Sequence, residues 1–379
     1  MQNIPSHALS IRMMFCAEKG KTLIGSDFSQ QEPRILAHFS NDDTMINAYK
    51  AKKDLYATIA SGVYNNNYED NLEFDANGNL SIEGKNRRSS CKGLLLGVMY
   101  GMGADSIAEN THKTKEEAEK FLEDFYKSYP KVKQWIDTTE SNALKTGYVE
   151  DIWGRRRRLP DLFLPKYTIK STAKGQFNPL LKVSISNNIS EAAYNKYSKM
   201  LDECRGRKQE QDIKNDAAKE GITISNNSGF ISRSLRQCVN ARIQGSAATM
   251  TKKAMIMVYH DKVMQDIGFK LLIPVHDELL GEVPLEYADI AKKRLSELMI
   301  ESAKADCSVP MKCDADQFTS WYEDNVEGDI WERFLKSIDK GNSPIQAKQE
   351  SRDFYCELSD EQFDKLSTKI VDYFSENNI

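Results

Sequence analysis

The sequence predicts an α+β fold, an antiparallel sheet backed by helices, on three observations. The first is residues 21–40, KTLIGSDFSQQEPRILAHFS, where an apolar strand (22–25) leads through Asp27 into a helix carrying Ile35, Leu36 and Phe39. The second is residues 269–284, FKLLIPVHDELLGEVP, in which two apolar runs flank His276, Asp277 and Glu278. That pattern reads as two antiparallel strands joined by a tight turn. The third is a set of amphipathic helical segments at 114–129, 131–146, 232–259 and 287–303.

Each element has a local reason. Residues 114–129 open on a T-x-x-E cap at Thr114 and Glu117, carry Ala118, Phe121, Leu122 and Phe125 on one face, and stop at Pro130. The next helix ends at Gly147, and 148–160, YVEDIWGRRRRLP, reads as a strand pair turning at Gly154. Leu72 and Phe74, then Leu80 and Ile82, alternate around Asn77-Gly78, which predicts a small exposed hairpin within 65–85. From Arg87 to Met102 the pattern is helical, with Arg88, Lys92 and Leu96 four apart on one face and Tyr100 at its edge. Gly93 and Gly97 each weaken that helix by about 1 kcal/mol relative to Ala. They make sense where something approaches the backbone closely or the helix moves.

Two distant carboxylates carry the chemistry. Asp27 leaves a strand and Asp277 tips a hairpin; brought together on one sheet, they form a site for two magnesium ions. Magnesium takes few protein carboxylates and fills its octahedron with water and substrate phosphate. Two such ions about 4 Å apart stabilise both oxygens of an in-line phosphoryl displacement. A plainer alternative for the first stretch is an S-x-x-E capping box at Ser29 and Glu32, with Asp27 in a turn. A row of cations such as Arg88 and Lys92 can grip a triphosphate and screen a leaving pyrophosphate. The alternative there is a solvated basic helix face.

Composition sets the bounds. The 379 residues are 40% hydrophobic and 28% charged, as in an ordinary globular protein. A net charge of −4 gives no hint of a nucleic-acid partner, but basic residues cluster at 85–92, 155–158 and 233–253. No apolar run approaches a membrane span, so no membrane partner is expected. Seven scattered cysteines without a C-x-x-C pair point to free thiols in a reducing cytoplasm.

Four segments together resemble the family A DNA polymerases. DFSQQEPRILAHFS resembles motif A, and RSSCKGLLLGVMYG (88–101) resembles motif B in its R-x3-K-x7-YG frame. RQCVNARIQGSAA (236–248) resembles the R-x3-N-x3-QG-x-AA segment, and PVHDE resembles motif C. Residues 2–5, QNIP, resemble the element preceding motif A, and 311–321 resemble the closing strand with its Trp. The resemblance implies a right-hand polymerase palm with helical fingers inserted, thumb and exonuclease domains being absent. It divides the chain into a first palm part (1–45), fingers (46–164), an atypical insertion (165–230), a second palm part (231–324) and a C-terminal helical extension (325–379). The insertion is read as one helix near 190–206 with flexible ends, and the extension as short helices near 328–338 and 359–376.

The resemblance also implies roles. Asp27, Asp277 and the main-chain carbonyl of Phe28 would hold two Mg2+ ions, with Glu278 a supporting carboxylate. Lys92 would bind the phosphates and protonate pyrophosphate, and Arg88 would neutralise charge. Gln30, Glu32, Leu96, Tyr100 and Tyr56 would complete the nucleotide site, Glu32 taking the space of a ribose 2′-hydroxyl. Leu96 stands where relatives have an aromatic, and Tyr56 where they have His. Arg236, Asn240, Gln244 and His276 would meet DNA, the helical three in the minor groove, whose acceptors are common to all base pairs. Arg155 to Arg158 are either a phosphate contact or a solvated edge. The implied reaction is template-directed addition of dNMP to a primer 3′-hydroxyl, with primer-template DNA and dNTPs as partners. A separate N-terminal polymerase fragment carrying the thumb, and an exonuclease with it, is expected as a further partner. The inserted loops suggest a bacteriophage source. A single-subunit RNA polymerase relative and a non-catalytic DNA- or polymerase-binding subunit are the alternatives.

Overall fold

The computed structural model describes residues 9–12, 14–74, 81–111, 113–171, 189–318 and 320–321, then 333–334, 336–338, 340–352, 363–364, 367–368 and 371. The QNIP element, the Asn77-Gly78 tip and the 172–188 flank of the insertion lie outside the described residues. After a single helical turn α1 (Leu9–Arg12) comes β1 (Lys21–Phe28), then α2 (Gln31–Ser40), α3 (Asp43–Lys50), α4 (Leu55–Tyr64) and α5 (Ile82–Met99). Helices α6 (Ala104–Thr111), α7 (Lys115–Ser128) and α8 (Pro130–Thr146) follow, then β2 (Tyr148–Glu150), β3 (Arg156–Arg158) and β4 (Tyr167–Ser171). Next are α9 (Glu191–Asp202), α10 (Arg207–Lys219), β5 (Ile222–Asn226), α11 (Ser228–His260) and α12 (Lys262–Asp266). The hairpin β6 (Lys270–Val275) and β7 (Glu278–Pro284), α13 (Ala288–Lys304), β8 (Cys313–Phe318) and α14 (Pro344–Arg352) complete the order.

The chain divides into two compact units. The first comprises Met1–Leu95, Glu119–Val132 and Gln244–Ile379, and the second Leu96–Ala118 and Lys133–Ile243. The first unit is organised on an antiparallel sheet of order β6-β7-β1-β8. Strand β1 is central because it is apolar enough to be covered on both faces; only Asp27, near its end, is exposed. On one face α13 packs, with the Ser26 and Ser296 hydroxyls 3.5 Å apart. On the other, Leu23, Leu280, Val275, Phe318 and Trp321 form a cluster against Phe15. Alternation puts Leu23 and Asp27 on the same face, apolar at one end and acidic at the other.

The second unit holds the two small sheets. The β2–β3 hairpin turns at Gly154 as the sequence predicts: Asp151 accepts hydrogen bonds from the backbone of Trp153 (2.9 Å) and Arg155 (2.8 Å). Its three strand arginines are exposed. Inside the insertion, β4 pairs with β5 from Tyr167↔Asn226 to Ser171↔Ile222. Helices α9 and α10 close on this ribbon around Tyr197, Leu201, Ile213, Ala217, Ile222 and Ile224. The region therefore has its own core rather than the single helix expected. Its Asn- and Lys-rich composition conceals apolar residues at helical and strand spacing.

Several local expectations change. Ser29 and Glu32 do not cap α2; its N-cap is Gln30, in left-handed conformation, with no side-chain cap bond. The hairpin expected within 65–85 has its tip outside the described residues; it is flanked by a 3-10 turn at Tyr68–Asn71 and by α5, which begins at Ile82, and the Ser81 amide donates to the Glu73 carbonyl at 2.9 Å. Asparagines close that 3-10 turn: Asn71 donates to Asn66 Oδ1 (2.7 Å) and the Asn67 carbonyl (2.8 Å). The T-x-x-E cap of α7 is formed in both directions, at 2.8 and 3.2 Å. Ile107 packs on Gly97, a close approach from within the second unit. In the C-terminal extension, α14 was not anticipated, although Ser343 and Gln346 supply its capping box.

Candidate active site

The pairing of β1 with β7 sets the site. Asp27 lies directly opposite Glu278 on one side and opposite Asp314 of β8 on the other. One residue further, the Phe28 amide donates to the Asp277 carbonyl at 3.3 Å. Strand spacing and rise then put the Asp27 and Asp277 Cα atoms about 6 Å apart. Residues 250 apart in sequence thus meet on adjacent strands because a two-residue turn, His276-Asp277, ends the β6–β7 hairpin at this level. His276 takes φ 54°, a left-handed conformation that favours glycine in such turns. Its side chain is exposed and that of Asp277 half-buried.

The buried Cys313 thiol reports the convergence. Burial pushes its pKa up, and the charges of Asp27, Asp314 and Asp277 push it further, against Arg34, which lowers it. Burial likewise pushes the Asp277 carboxyl up, opposed by its own backbone amide and by His276. Glu278 turns toward the middle of β1: its Oε1 lies 3.0 Å from where a Gly25 side chain would begin. A Cβ there would also strike the Phe318 ring, so only glycine leaves room for that carboxylate. Asp314, which sequence reading missed, bonds Lys312 at 2.7 Å. Strand alternation over 313–318 signals which face it shares, but its register against Asp27 is not in the sequence.

These residues fit magnesium. The donor set is hard oxygen: the exposed Asp27 carboxylate and the half-buried Asp277 carboxylate, beside the Phe28 carbonyl. Among the described residues no group of three or more His, Cys, Asp and Glu is gathered as a metal site. Magnesium completed by water and phosphate does not require one.

The cationic row lies on α5. Lys92 is exposed and Arg88, one turn earlier, is half-buried. Arg88 donates through Nε (3.1 Å) and Nη2 (2.9 Å) to Asp54 Oδ2, while Asp54 Oδ1 caps α4 at Ala57 (2.8 Å). Burial works against the Arg88 charge, but the bond to Asp54 outweighs it and raises the guanidinium above its ordinary value. Tyr56 is buried and meets Arg88 through its ring, 5.4 Å from the guanidinium carbon. It is expected at the triphosphate, and its ring lies against the arginine expected there too. Asp54 is the residue that sequence reading passed over, although D-x-x-A before an apolar helix is a cap signal.

Further along α5, Leu96 and Tyr100 are half-buried. Gly101 takes φ 64°, and the Arg236 backbone comes within 3.0 Å of its Cβ position, so this glycine allows the second and third motifs to touch. On α11, Arg236 and Gln244 are exposed and Asn240 is half-buried, four apart along one face. In the turn before α2, Gln30 is half-buried and accepts from the Tyr49 hydroxyl at 3.1 Å; Glu32 is half-buried in the first helical turn.

Comparison with known proteins gives these positions a family. The model of DNA polymerase family A matches residues 1–323. DNA polymerase I of Caldicellulosiruptor bescii is 29% identical over 326 residues, 85% of this chain and 30% of that protein. DNA polymerase I of Lactococcus lactis subsp. lactis is 26% identical over 326 residues, 85% of this chain and 29% of that protein. The fold is similar to the POL domain of Pol1 from M. smegmatis, solved in complex with DNA primer-template and dNTP. That likeness has a TM-score of 0.61 at 24% identity, over 85% of this chain and 44% of that one. The chain thus spans about three-tenths of the length of the curated relatives it matches. With the family model matched through both carboxylate stretches and the segments between them, the chain belongs to DNA polymerase family A.

Proposed function

We propose that the chain catalyses template-directed DNA synthesis, adding dNMP to a primer 3′-hydroxyl. The observation that carries this reading is the β1–β7 register, which sets Asp27 beside the hairpin turn that holds Asp277. Asp27, Asp277 and the Phe28 carbonyl would hold two magnesium ions. When bound, these activate the 3′-hydroxyl and neutralise charge on the triphosphate. Glu278, set over Gly25, supports Asp277 and Asp27 rather than binding metal itself. Lys92, exposed on α5, binds the phosphates and gives a proton to the departing pyrophosphate. Arg88, oriented by Asp54 and Tyr56, offsets the negative charge there.

Glu32 takes the space of a ribose 2′-hydroxyl, so dNTPs are the substrates. Tyr100 packs under the templating pair and Leu96 lines the sugar. Arg236, Asn240, Gln244 and His276 contact primer-template DNA without demanding a sequence. A further polymerase segment supplies the thumb that grips duplex DNA, and an exonuclease with it; the longer relatives support this. Among the described residues no helix is long and apolar enough to cross a membrane, and the protein works in the cytoplasm.

Primer extension at low salt and high protein concentration tests the proposal, with dATP against ATP as the discriminating pair. Copying with dNTPs that is lost in Asp27→Asn supports it. Absence of copying even with a thumb-bearing partner, or equal use of ATP, refutes it. Processive synthesis by the chain alone would remove the need for the partner. DNA affinity should fall steeply with salt.

A further inference from the structure

Gln30 holds a conformation that its sequence does not favour. It takes φ 55° and ψ 47°, left-handed for a residue with a Cβ, and its side chain caps nothing in α2. Three contacts hold this turn. Arg34, buried, donates its Nε–H to the Ser29 carbonyl at 2.8 Å and Nη1 to the Pro310 carbonyl. The Ser29 amide donates to the Lys312 carbonyl at 2.8 Å. Tyr49 of α3, 5% exposed, lies with its ring 4.2 Å from the Arg34 guanidinium carbon and donates its hydroxyl to Gln30 Oε1 at 3.1 Å. The motifs assign Gln30 to the nucleotide site and assign nothing to Tyr49.

We propose that Tyr49 is a positioning residue that fixes the polarity of the Gln30 carboxamide, so that Gln30 offers its N–H donors, and not its oxygen, to the incoming nucleotide. A glutamine amide has one acceptor end and one donor end. With Oε1 accepting from the Tyr49 hydroxyl, the Nε2 donors are the end turned toward a ligand. That end suits the oxygens of a sugar or phosphate. Burial pushes the Tyr49 hydroxyl well above its ordinary pKa, so it stays a donor throughout the working range. The inference rests on the polymerase reading above.

The test is a double-mutant cycle between Tyr49→Phe and Gln30→Ala, read as KM for dNTP and as Mg-dNTP binding without turnover. Tyr49→Phe keeps the ring under Arg34 and removes only the hydroxyl. We expect it to raise KM about five-fold, the worth of one neutral hydrogen bond, with kcat changed less. In the Gln30→Ala background the same substitution should add nothing. An equal effect in both backgrounds, or none in either, overturns the inference. Should Tyr49→Phe fail to fold, Gln30→Ala alone decides it: an unchanged KM overturns the inference. A wild-type chain that copies no DNA, with or without a thumb-bearing partner, sinks the polymerase reading instead, so the two failures are distinguishable.

Discussion

Asp277→Asn isolates the charge on which the proposed site depends. The substitution keeps the size of the side chain and removes one of two carboxylates whose backbones lie one ladder step apart. Taking the Cα separation of about 6 Å as the scale, two such charges repel by about 0.7 kcal/mol in water and about 3 kcal/mol at an effective dielectric of 20. Asp27 is exposed, so the lower part of that range applies, about 1 kcal/mol. Burial also disfavours the Asp277 charge. In EDTA the variant should therefore melt higher than the parent, by about 1–2 °C for a chain of this size. Millimolar Mg2+ should raise the parent's melting point more than the variant's. Primer extension should fall about a thousand-fold. Differential scanning calorimetry with and without the metal, beside a single-nucleotide extension assay, reads all three. A variant that melts lower in EDTA, gains as much from Mg2+, or copies as fast as the parent refutes the reasoning.

Three further outcomes are expected. Arg88→Lys keeps the charge but loses the two-pronged hold on Asp54; KM for dNTP should rise about ten-fold in steady-state extension assays. Because that pair is about a quarter exposed, stability should drop by less than about 1 kcal/mol in urea titrations. Trp321→Ala should cost about 3–5 kcal/mol, since the ring is wholly buried against Phe15 and beneath Arg12; unchanged chemical denaturation would contradict this. Glu210, bonded to Lys214, Asn226 and Tyr167, is held down to about 2 from 4.5. A lowered carboxylate stabilises fully above its ordinary pKa and loses that contribution as pH falls through its folded value. Hydrogen-exchange protection factors within residues 189–230, corrected for the intrinsic rate at each pH, should thus fall between pH 4.5 and 2 in the parent, and less steeply in Glu210→Gln.

How far the sequence revealed the site depends on the range of the interactions. The capping box of α7, the turn at Gly154 and the hairpin around Asp277 are local, and short-range chemistry announces each of them. The adjacency of Asp27 and Asp277 was legible only through the resemblance, because pairing register between distant strands is a property of the assembled sheet. The same limit hid Asp314, which faces Asp27 across β8. Asp54 was overlooked because its neighbour Tyr56 drew the reading toward a triphosphate contact, when the aspartate both caps α4 and holds Arg88. Gln30 was placed at the nucleotide, but its link to Tyr49 crosses between helices and leaves no periodic trace.

The antiparallel ribbon at the base of the insertion has a consequence for how such a chain changes over time. Tyr167 and Asn226 are paired partners, so the path out and the path back begin side by side, and the Asn227 amide ties to the Lys166 carbonyl at 2.8 Å. Whatever lies beyond that neck enters and leaves at one place, and lengthening or shortening it alters closure entropy only logarithmically. A whole module can therefore be acquired, exchanged or deleted in one genetic event, leaving the flanking secondary structure able to keep its own path. The neck is accordingly the place to splice in a foreign domain when a fusion to this chain is wanted.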